Sequence, residues 1–399
     1  MNHPRRSLRF INAAHFLDHY VLLVFPTVVI GLEIELQRSY GELIALATAC
    51  FVAFGLFSLP WGWLGDHWSR RRLMAIFFLG AAASLAAAAA SSDMLVLTCS
   101  LFALGVFAAI YHPVGITVLL ANAKDRGRDV AMNGVWGNLG VATAPAVTAL
   151  IASAYGWRAA FAAPAVVCAT IGVAYLLLTE ETHEKKENRS QHAEVALTLR
   201  MAAVFFACFA VASLAGGLVF NTITVAIPKI VDERFAADIP LAWIGLVATL
   251  ILLFGGVAQL VVGRLVSRYA PHMLFAAIAL VQAIAIAWAT IATGSALLAV
   301  LAIAIAAIYA QITVGDVVIA RYTADAWRGR IYSVRFFLSF LSSGLAVVLI
   351  AALHGRGGFG LVLGVTTAFA AVFAVATIGV ALVANRIEAV HSRRVQPAE

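Results

Sequence analysis

The chain has 399 residues, of which 63% are hydrophobic and only 12% are charged. Soluble domains carry roughly 25% charged residues, so the composition excludes an ordinary soluble protein. The net charge of +7 would suit a nucleic-acid partner, but the basic residues flank apolar runs and form no basic domain of their own. We therefore expect no nucleic-acid binding and a lipid bilayer around most of the chain.

Apolar runs close to the ~20 residues that cross a bilayer follow one another along the chain. These runs are continuous, whereas barrel strands alternate between apolar and polar positions over about 10 residues. The sequence therefore predicts an all-α membrane protein with twelve transmembrane helices. The predicted spans are 8–31, 41–64, 73–90, 95–120, 129–153, 157–178, 200–228, 241–265, 272–292, 295–321, 330–353 and 358–385.

The positive charges predict the orientation, because Lys and Arg collect on the cytoplasmic side of membrane proteins. With the N-terminus inside, 21 of the 27 Lys and Arg residues fall on cytoplasmic segments and five on the opposite side. The first apolar run is interpreted as an uncleaved helix, since polar residues interrupt it and no small-residue cleavage site follows. We expect a multi-pass protein of the bacterial inner membrane with both termini in the cytoplasm.

The two halves of the chain share landmarks at nearly one offset. These are Pro26 and Pro228, 202 residues apart, Gly62 and Gly263, 201 apart, and Arg126-Gly127-Arg128 and Arg328-Gly329-Arg330, 202 apart. Such self-similarity is typical of a duplicated unit. The sequence predicts two pseudo-symmetric six-helix bundles over 1–178 and 200–399, joined by a charged cytoplasmic linker over 179–199, the second bundle ending in a short cytoplasmic tail.

The loop after the second predicted helix carries small, acidic and basic residues in a fixed order. It reads Gly62-Trp-Leu-Gly-Asp66-His-Trp-Ser-Arg70-Arg71-Arg72. This order resembles the loop signature of the major facilitator superfamily of transporters. The matching residues are Gly62, Leu64, Asp66, Arg70 and Arg71, and the departures are His67 and Ser69. Asp66 with Arg70 and Arg71 is expected to form a gating latch, and the resemblance implies a substrate site near the midplane between the halves.

The fifth predicted helix carries a stripe of small residues that ends in a proline. Its order Gly140-x-x-x-Ala144-Pro145, preceded by Gly137, is similar to the antiporter signature of the superfamily, with Ala144 in place of a second glycine. The plainer alternative is a packing stripe with a proline bend. Both interpretations stay open on the sequence alone.

Two short segments resemble a narrower group, the fosmidomycin-resistance type of efflux carrier. The first helix reads His15-Phe-Leu-Asp18-His19-Tyr20, and the fourth reads Ile110-Tyr111-His112-Pro113. Carriers of this type have a His and an Asp early in the first helix and an aromatic-His-Pro order in the fourth. The resemblance implies export of small molecules.

Charged side chains within a bilayer are costly and usually mark functional sites. The candidates by position are Asp18, Asp316 and Arg335, together with the titratable His15, His19 and His112. Residues spaced three and four apart share one face of a helix, so His15, Asp18 and His19 are predicted to lie together. We expect this group to bind and release a coupling proton. The alternative is a polar cluster near the cytoplasmic headgroups.

The same spacing imitates a zinc-protease helix with Asp in place of Glu. This makes a membrane metalloenzyme that uses His15, Asp18 and His19 a remote alternative. No dependable third ligand is evident beside this segment in the sequence, so we expect no metal and no cofactor.

In the second half, Asp316 and Arg335 lie at similar predicted depths and are expected to form a structural or gating ion pair. The alternative is that Arg335 is the counter-charge for an anionic substrate, since a guanidinium suits carboxylates and phosphonates. The superfamily resemblance implies a central cavity. The residues expected to line it are Tyr20, Tyr111, His112, Asn221, Thr224, Tyr309, Gln311 and Arg335.

These features together predict a monomeric, proton-coupled secondary transporter that is not an enzyme. Its partners are protons and a small-molecule substrate, and we expect it to export drug-like or anionic organic molecules by antiport. The alternative is a proton symporter that takes up a metabolite or a siderophore. No glycine-rich phosphate loop is present in the sequence, so nucleotide hydrolysis is not the expected energy source.

Overall fold

The computed structural model describes the backbone of residues 3–181, 199–323 and 325–395, and the side chains of 5–181, 200–323, 331–332 and 334–389. Most of the predicted linker over 179–199 lies outside these ranges, as do the side chains of the repeated Arg328-Gly329-Arg330 landmark. The described chain is almost wholly helical, as the continuous apolar runs predicted.

Six membrane helices form the first half of the chain, and three of them are interrupted. The helices are α1 (His3–Leu22 and Val24–Leu36), α2 (Tyr40–Ile44 and Ala47–His67), α3 (Arg70–Ala89), α4 (Met94–Ala108, a π-helical turn Tyr111–Gly115, and Ile116–Asn122), α5 (Arg126–Tyr155) and α6 (Trp157–Leu178). The second half begins with four uninterrupted helices, α7 (Leu199–Arg234), α8 (Leu241–Leu265), α9 (Pro271–Ala289) and α10 (Gly294–Tyr322).

A final helical stretch, Asp325–Val395, contains non-helical backbone at Gly357 and Gly358 and is divided there into α11 (325–356) and α12 (359–395). Gly358 has φ 57°, a left-handed conformation that glycine adopts without steric cost. Eleven helical stretches in the described residues are long and apolar enough to cross a membrane, and the last of them includes this break. The protein is thus an all-α membrane protein, and in the described residues each of α1 to α12 overlaps one predicted span.

Polar residues at the boundaries explain where several helices begin. Ser39 and Glu42 form a reciprocal capping box at the start of α2. Asp93 accepts hydrogen bonds from two backbone N–H groups at the start of α4, and Asp125 caps α5 in the same manner. The short polar segments between apolar runs therefore fix helix ends as well as turns.

The chain divides into two compact units that do not coincide with its two sequence halves. The first unit combines α1 to α6 with Thr224–Leu253 and Ser343–Gly358. The second unit contains the N-terminal part of α7, Phe254–Ser342 and α12. Its core includes an aromatic group in which Phe275 contacts both Phe209 and Phe373.

Glycines let helices of the first unit approach at backbone distance. A Cβ on Gly105 of α4 would overlap the carbonyl of Cys50 on α2, and one on Gly140 of α5 would overlap the carbonyl of Phe16 on α1. Small residues at such crossings are the usual way in which membrane helices gain packing contacts. These two crossings set the separations of α2 from α4 and of α1 from α5.

We predict that Gly105→Ala destabilises the protein by about 2 kcal/mol, because backbone atoms of α2 must move to admit the methyl group. The matched control is Gly134→Ala on α5, where an added Cβ meets nothing within 4 Å. The measurement is the thermal transition of the detergent-solubilised protein by size-exclusion chromatography. Equal transitions for the two variants would contradict the close α2–α4 crossing.

Candidate functional site

The first unit brings His15 and His19 of α1 together with His112 of α4. The ring centroids of His15 and His19 are 5.0 Å apart, those of His15 and His112 are 5.6 Å apart, and those of His19 and His112 are 5.5 Å apart. All three residues are partly exposed. Asp18 lies beside them, and we call these four residues the histidine cluster.

Asp18 is the acidic member of this cluster and is completely buried, with an exposed fraction of 0%. Its Oδ2 atom lies 3.4 Å from Nε2 of His112, longer than an ordinary hydrogen bond. Within the part of the chain that the structure describes, neither carboxylate oxygen has a hydrogen-bond partner. A buried polar atom without a partner is costly, so such a group calls for a functional explanation.

Asn133 of α5 anchors the cluster to its surroundings. Nδ1 of His15 donates to the backbone carbonyl of Asn133 at 2.8 Å, which leaves Nε2 as the acceptor nitrogen of a neutral ring. The Asn133 side chain accepts from the hydroxyl of Tyr111 at 2.9 Å and donates to Asn12 at 3.0 Å. Hydrogen bonds at this one residue therefore connect α1, α4 and α5.

The aromatic-His-Pro segment of α4 forms a π-helical turn over Tyr111–Gly115. This turn is wider than a regular α-helical turn and contains Pro113. Single π-helical turns recur at functional sites because they redirect side chains. This turn holds Tyr111 stacked on His15, with ring centroids 4.8 Å apart, and His112 next to Asp18.

The small-residue stripe of α5 contacts the cluster and a further helix. A Cβ on Gly137 would lie 2.5 Å from Nε2 of His15, so only glycine leaves room for this ring. At the other end of the stripe, Gly245 of α8 lies against Pro145 and Ala149. Ala144, which precedes Pro145 in the stripe, is fully buried. The stripe is therefore a packing surface, and any antiporter role stays a prediction.

Tyr20, a predicted cavity residue, lies on α1 but outside the histidine cluster. Its side chain is buried, and its hydroxyl accepts a hydrogen bond from Thr148 of α5 at 3.3 Å. Thr224 of α7, which belongs to the first unit, is also buried, and its hydroxyl has no partner among the described residues.

Polar residues of the second unit form separate, local contacts. Asn221 of α7 donates to Ser342 of α11 at 3.2 Å, and Gln311 of α10 donates to the carbonyl of Gly216 at 3.5 Å. Tyr309 is buried against Gly255, and its hydroxyl makes no hydrogen bond to any described residue. The hydroxyl of Tyr309 and the Oε1 atom of Gln311 are thus buried polar atoms without a hydrogen-bond partner among the described residues.

Asp316 of α10 and Arg335 of α11 form an ion pair, the contact that their similar depth predicted. Arg335 also donates to the carbonyl of Ile312 at 3.3 Å. The two side chains differ in exposure, because Arg335 is 14% exposed and Asp316 is 47% exposed. The arginine is therefore the member that depends on its partner.

Asp66, Arg70 and Arg71 of the loop signature form one long ion pair and two hydrogen bonds to backbone carbonyls. Asp66 is largely exposed, and its carboxylate lies 3.8 Å from Arg70 one helical turn away. Arg70 donates to the carbonyl of Gly65 at 3.1 Å, and Arg71 donates to the carbonyl of Leu176 on α6. A Cβ on Gly62 would lie 3.3 Å from Pro113, so α2 passes close to α4 at this glycine.

A further charged group was missed by the sequence analysis. Lys229 of α7 is only 7% exposed and contacts Glu33 of α1 at 2.5 Å, Asp232 at 2.7 Å and Glu233 at 3.6 Å. His354 of α11 bonds to Glu233 at 2.8 Å. We call these five residues the lysine cluster. The i+3 and i+4 spacing of the acids was visible in the sequence, but α7 was predicted to end at residue 228.

The lysine cluster joins segments that are distant in the sequence at one end of the first unit. The ring of Tyr40, at the start of α2, lies 5.6 Å from Nζ of Lys229 and packs against His354. Nearby, a Cβ on Gly41 would lie 3.0 Å from the carbonyl of Ala351 on α11. These contacts hold α1, α2, α7 and α11 together at this end.

We predict that Lys229→Met lowers the stability of the protein by about 2 kcal/mol, because three carboxylates lose their common cation. Adding Glu33→Gln and Asp232→Asn should recover part of the loss. The control is Lys124→Met, since Lys124 is exposed. Thermal transitions of the four proteins check this, and a Lys229→Met transition equal to that of the control would contradict it.

Because Arg335 is more buried than Asp316, we predict that the two single substitutions of this ion pair have unequal effects on stability. Asp316→Asn leaves a mostly buried guanidinium without a carboxylate and should cost about 1–2 kcal/mol. Arg335→Met leaves a half-exposed carboxylate that water can solvate, so its cost should be within about 1 kcal/mol. The two thermal transitions are compared with that of the double variant. Greater damage from Arg335→Met would mean that the arginine stabilises something besides Asp316.

Similarity to known proteins extends over much of this chain. The profile of the Major Facilitator Superfamily matches residues 10–243, more than half of the chain. An uncharacterized MFS-type transporter of Bacillus subtilis (strain 168), YfnC, is 26% identical over 145 residues, 36% of this chain and 36% of that protein. A protein of Escherichia coli (strain K12) named "probable L-galactonate transporter" is 27% identical over 192 residues, 47% of this chain and 40% of that protein. The chain thus spans less than half the length of these relatives.

Solved structures share the fold at low sequence identity. A bacterial homologue of the human lysosomal transporter Spinster, inward-facing and occupied, is 11% identical with a TM-score of 0.74, covering 98% of this chain and 97% of that one. A D-xylose–proton symporter is 16% identical with a TM-score of 0.73, covering 94% and 97%. The family match favours a carrier over the metalloenzyme alternative. The chain belongs to the major facilitator superfamily and is a multi-pass membrane protein with the fold of that superfamily.

Proposed function

We propose that this transporter couples the movement of its substrate to protons and exports small drug-like or anionic organic molecules by antiport. The proposal includes a single chain as the working unit, a bacterial inner-membrane location, both termini in the cytoplasm and two six-helix halves. The narrower likeness to the fosmidomycin-resistance type of carrier supports export. The observation that carries proton coupling is the complete burial of Asp18 beside three histidines.

A charged carboxylate within a membrane protein is stable when water reaches it and costly when the site is dry. Alternating access exposes one site to water on the two sides in turn, so the charge state of Asp18 is linked to the conformational state. His112, 3.4 Å away, is the nearest group that can exchange a proton with this carboxylate. Protonation of the cluster and occupation by substrate would then favour different states.

Titratable side chains from α1, α2 and α4 surround the Asp18 carboxylate. Cys50 of α2 and Tyr111 of α4 are close enough to Asp18 to interact with its charge, and His15, His19 and His112 complete the surroundings. An imidazole can accept a proton at one ring nitrogen and release one from the other. The three rings are proposed to supply the intermediate steps by which a proton reaches the buried carboxylate of Asp18.

Two sets of residues are proposed to contact substrate. They are Tyr20, Tyr111, His112 and Thr224 in the first unit, and Asn221, Tyr309 and Gln311 in the second. Support comes from buried oxygen atoms of Thr224, Tyr309 and Gln311 that have no partner among the described residues. Arg335 is engaged by Asp316, which favours a structural or gating role for this pair over direct anion binding.

A second candidate function is proton-coupled uptake of a small organic acid. The similarity to a protein named as a probable L-galactonate transporter, which would carry a sugar acid, favours this substrate class. The histidine cluster serves either direction, because coupling requires only that protonation and substrate binding influence the same conformational equilibrium. Direction must therefore be measured.

We predict that Asp18→Asn abolishes the response of transport to a pH gradient while exchange of substrate down its own gradient continues. The measurement uses proteoliposomes with an imposed pH gradient of either sign and a panel of phosphonates, antibiotics and sugar acids. The control is Asp93→Asn, since Asp93 caps α4 outside the cluster and Asn caps helices equally well. Proton-driven transport that persists in Asp18→Asn would remove Asp18 from the coupling role.

The same experiment separates the two directions. Movement of substrate against the proton flow supports export, whereas movement with the proton flow supports the uptake candidate. Transport by the wild-type protein that ignores gradients of both signs would contradict proton coupling as a whole.

A further inference from the structure

We propose that His15, His19 and His112 form a binding site for a divalent transition-metal ion of the zinc class. The site lies in the histidine cluster and adds a ligand to the proposed function. One ring nitrogen from each of the three residues lies within 4.8 Å of those from the other two. The sequence suggested only the two histidines of α1 as ligands. The third comes from α4, through the π-helical turn.

The ring separations fit a shared ion. Zinc–nitrogen bonds of ~2.1 Å in tetrahedral geometry place the centroids of coordinated imidazoles roughly 5 Å apart. The observed centroid separations are 5.0, 5.6 and 5.5 Å. The nitrogens must approach one another, since tetrahedral ligand atoms are about 3.4 Å apart. Rotations of the side chains suffice for this, because the ring centres are already at the required spacing.

The surroundings of His15 prepare it as a ligand. Metal-bound histidines usually donate their second ring nitrogen to a carbonyl or a carboxylate, which fixes the tautomer. Nδ1 of His15 donates to the carbonyl of Asn133 at 2.8 Å, so the Nε2 lone pair is available to an ion. Gly137 lets the ring take this position, because a Cβ there would lie 2.5 Å from Nε2.

Asp18 supplies the charge that such an ion needs. Its buried carboxylate lies 3.4 Å from Nε2 of His112 and has no hydrogen-bond partner among the described residues. The negative charge of Asp18 would partly compensate a divalent ion bound by three neutral imidazoles. The carboxylate could do so as the fourth ligand or from just outside the coordination sphere. An unpartnered carboxylate beside three imidazoles is thus explained by a cation.

The ligand set selects the class of ion. Imidazole nitrogens suit zinc, copper, nickel and cobalt, whereas magnesium and calcium prefer oxygen ligands. Three imidazoles leave one position of a tetrahedral ion open. An oxygen donor of an organic anion can fill that position. The cargo of the transporter would then be the ion or its complex with such an anion.

Equilibrium titration of the purified, untagged protein in detergent tests this site. We expect one Co²⁺ or Zn²⁺ ion per chain, an intense visible absorption of the Co²⁺ form that reports a tetrahedral ion, and no binding of Mg²⁺. The variants His15→Gln, His19→Gln and His112→Gln should each lower the affinity at least tenfold. The matched control His67→Gln should bind as the wild type does, since His67 bonds only within its own helix turn and lies outside the cluster.

A stoichiometry near zero for the wild-type protein, or a Co²⁺ spectrum of an octahedral ion, would overturn the proposal without recourse to any variant. Equal affinity in His112→Gln and the wild type would overturn it as well, because the site requires the ligand from α4. Binding is measured at equilibrium with no gradient and no added substrate. A negative result therefore leaves proton-coupled transport untouched, and loss of coupling in Asp18→Asn leaves metal binding to be judged by itself.

Discussion

The close contact between α1 and α5 is the interaction on which the functional site depends. Gly140 lets the two helices approach until its α-carbon lies against the carbonyl of Phe16. Two turns away, Asn133 bonds to His15, Asn12 and Tyr111, so the same contact fixes α4 as well. A larger residue in this crossing would separate the helices and with them the imidazoles. Packing of small residues and hydrogen bonding in a low-dielectric interior act here as one constraint.

The chemistry of the site follows from what the surrounding helices leave unsatisfied. Nearly every polar group around His15 has a partner, whereas the Asp18 carboxylate has none among the described residues. A group left in this condition can be stabilised by a proton or by a cation, and we propose that the same three imidazoles serve both. Secondary transport uses such competition, because a ligand changes a conformational equilibrium only by binding the two states unequally.

The lysine cluster shows a complementary use of charge. Here Lys229 has three carboxylates within 3.6 Å, so its charge is fully committed, and helices from both halves of the sequence meet around it. In the second unit, the charges of Asp316 and Arg335 are likewise paired with each other. Paired charges of this kind hold helices together, whereas the Asp18 carboxylate lies 3.4 Å from His112 and makes no hydrogen bond to a described residue.

The sequence alone determined the membrane class, the number of spans and the grouping of His15, Asp18 and His19, because hydropathy and helical spacing are local properties. It also indicated the superfamily through the loop after α2, and the pairing of Asp316 with Arg335 through their similar depth. Only the tertiary structure brought His112 and Asn133 to α1, turned the proline segment of α4 into a π-helical turn, and assembled the lysine cluster from three distant segments. These features depend on how helices cross, and a crossing is decided by backbone approach at glycines such as Gly137 and Gly140, whose partners a single sequence does not name.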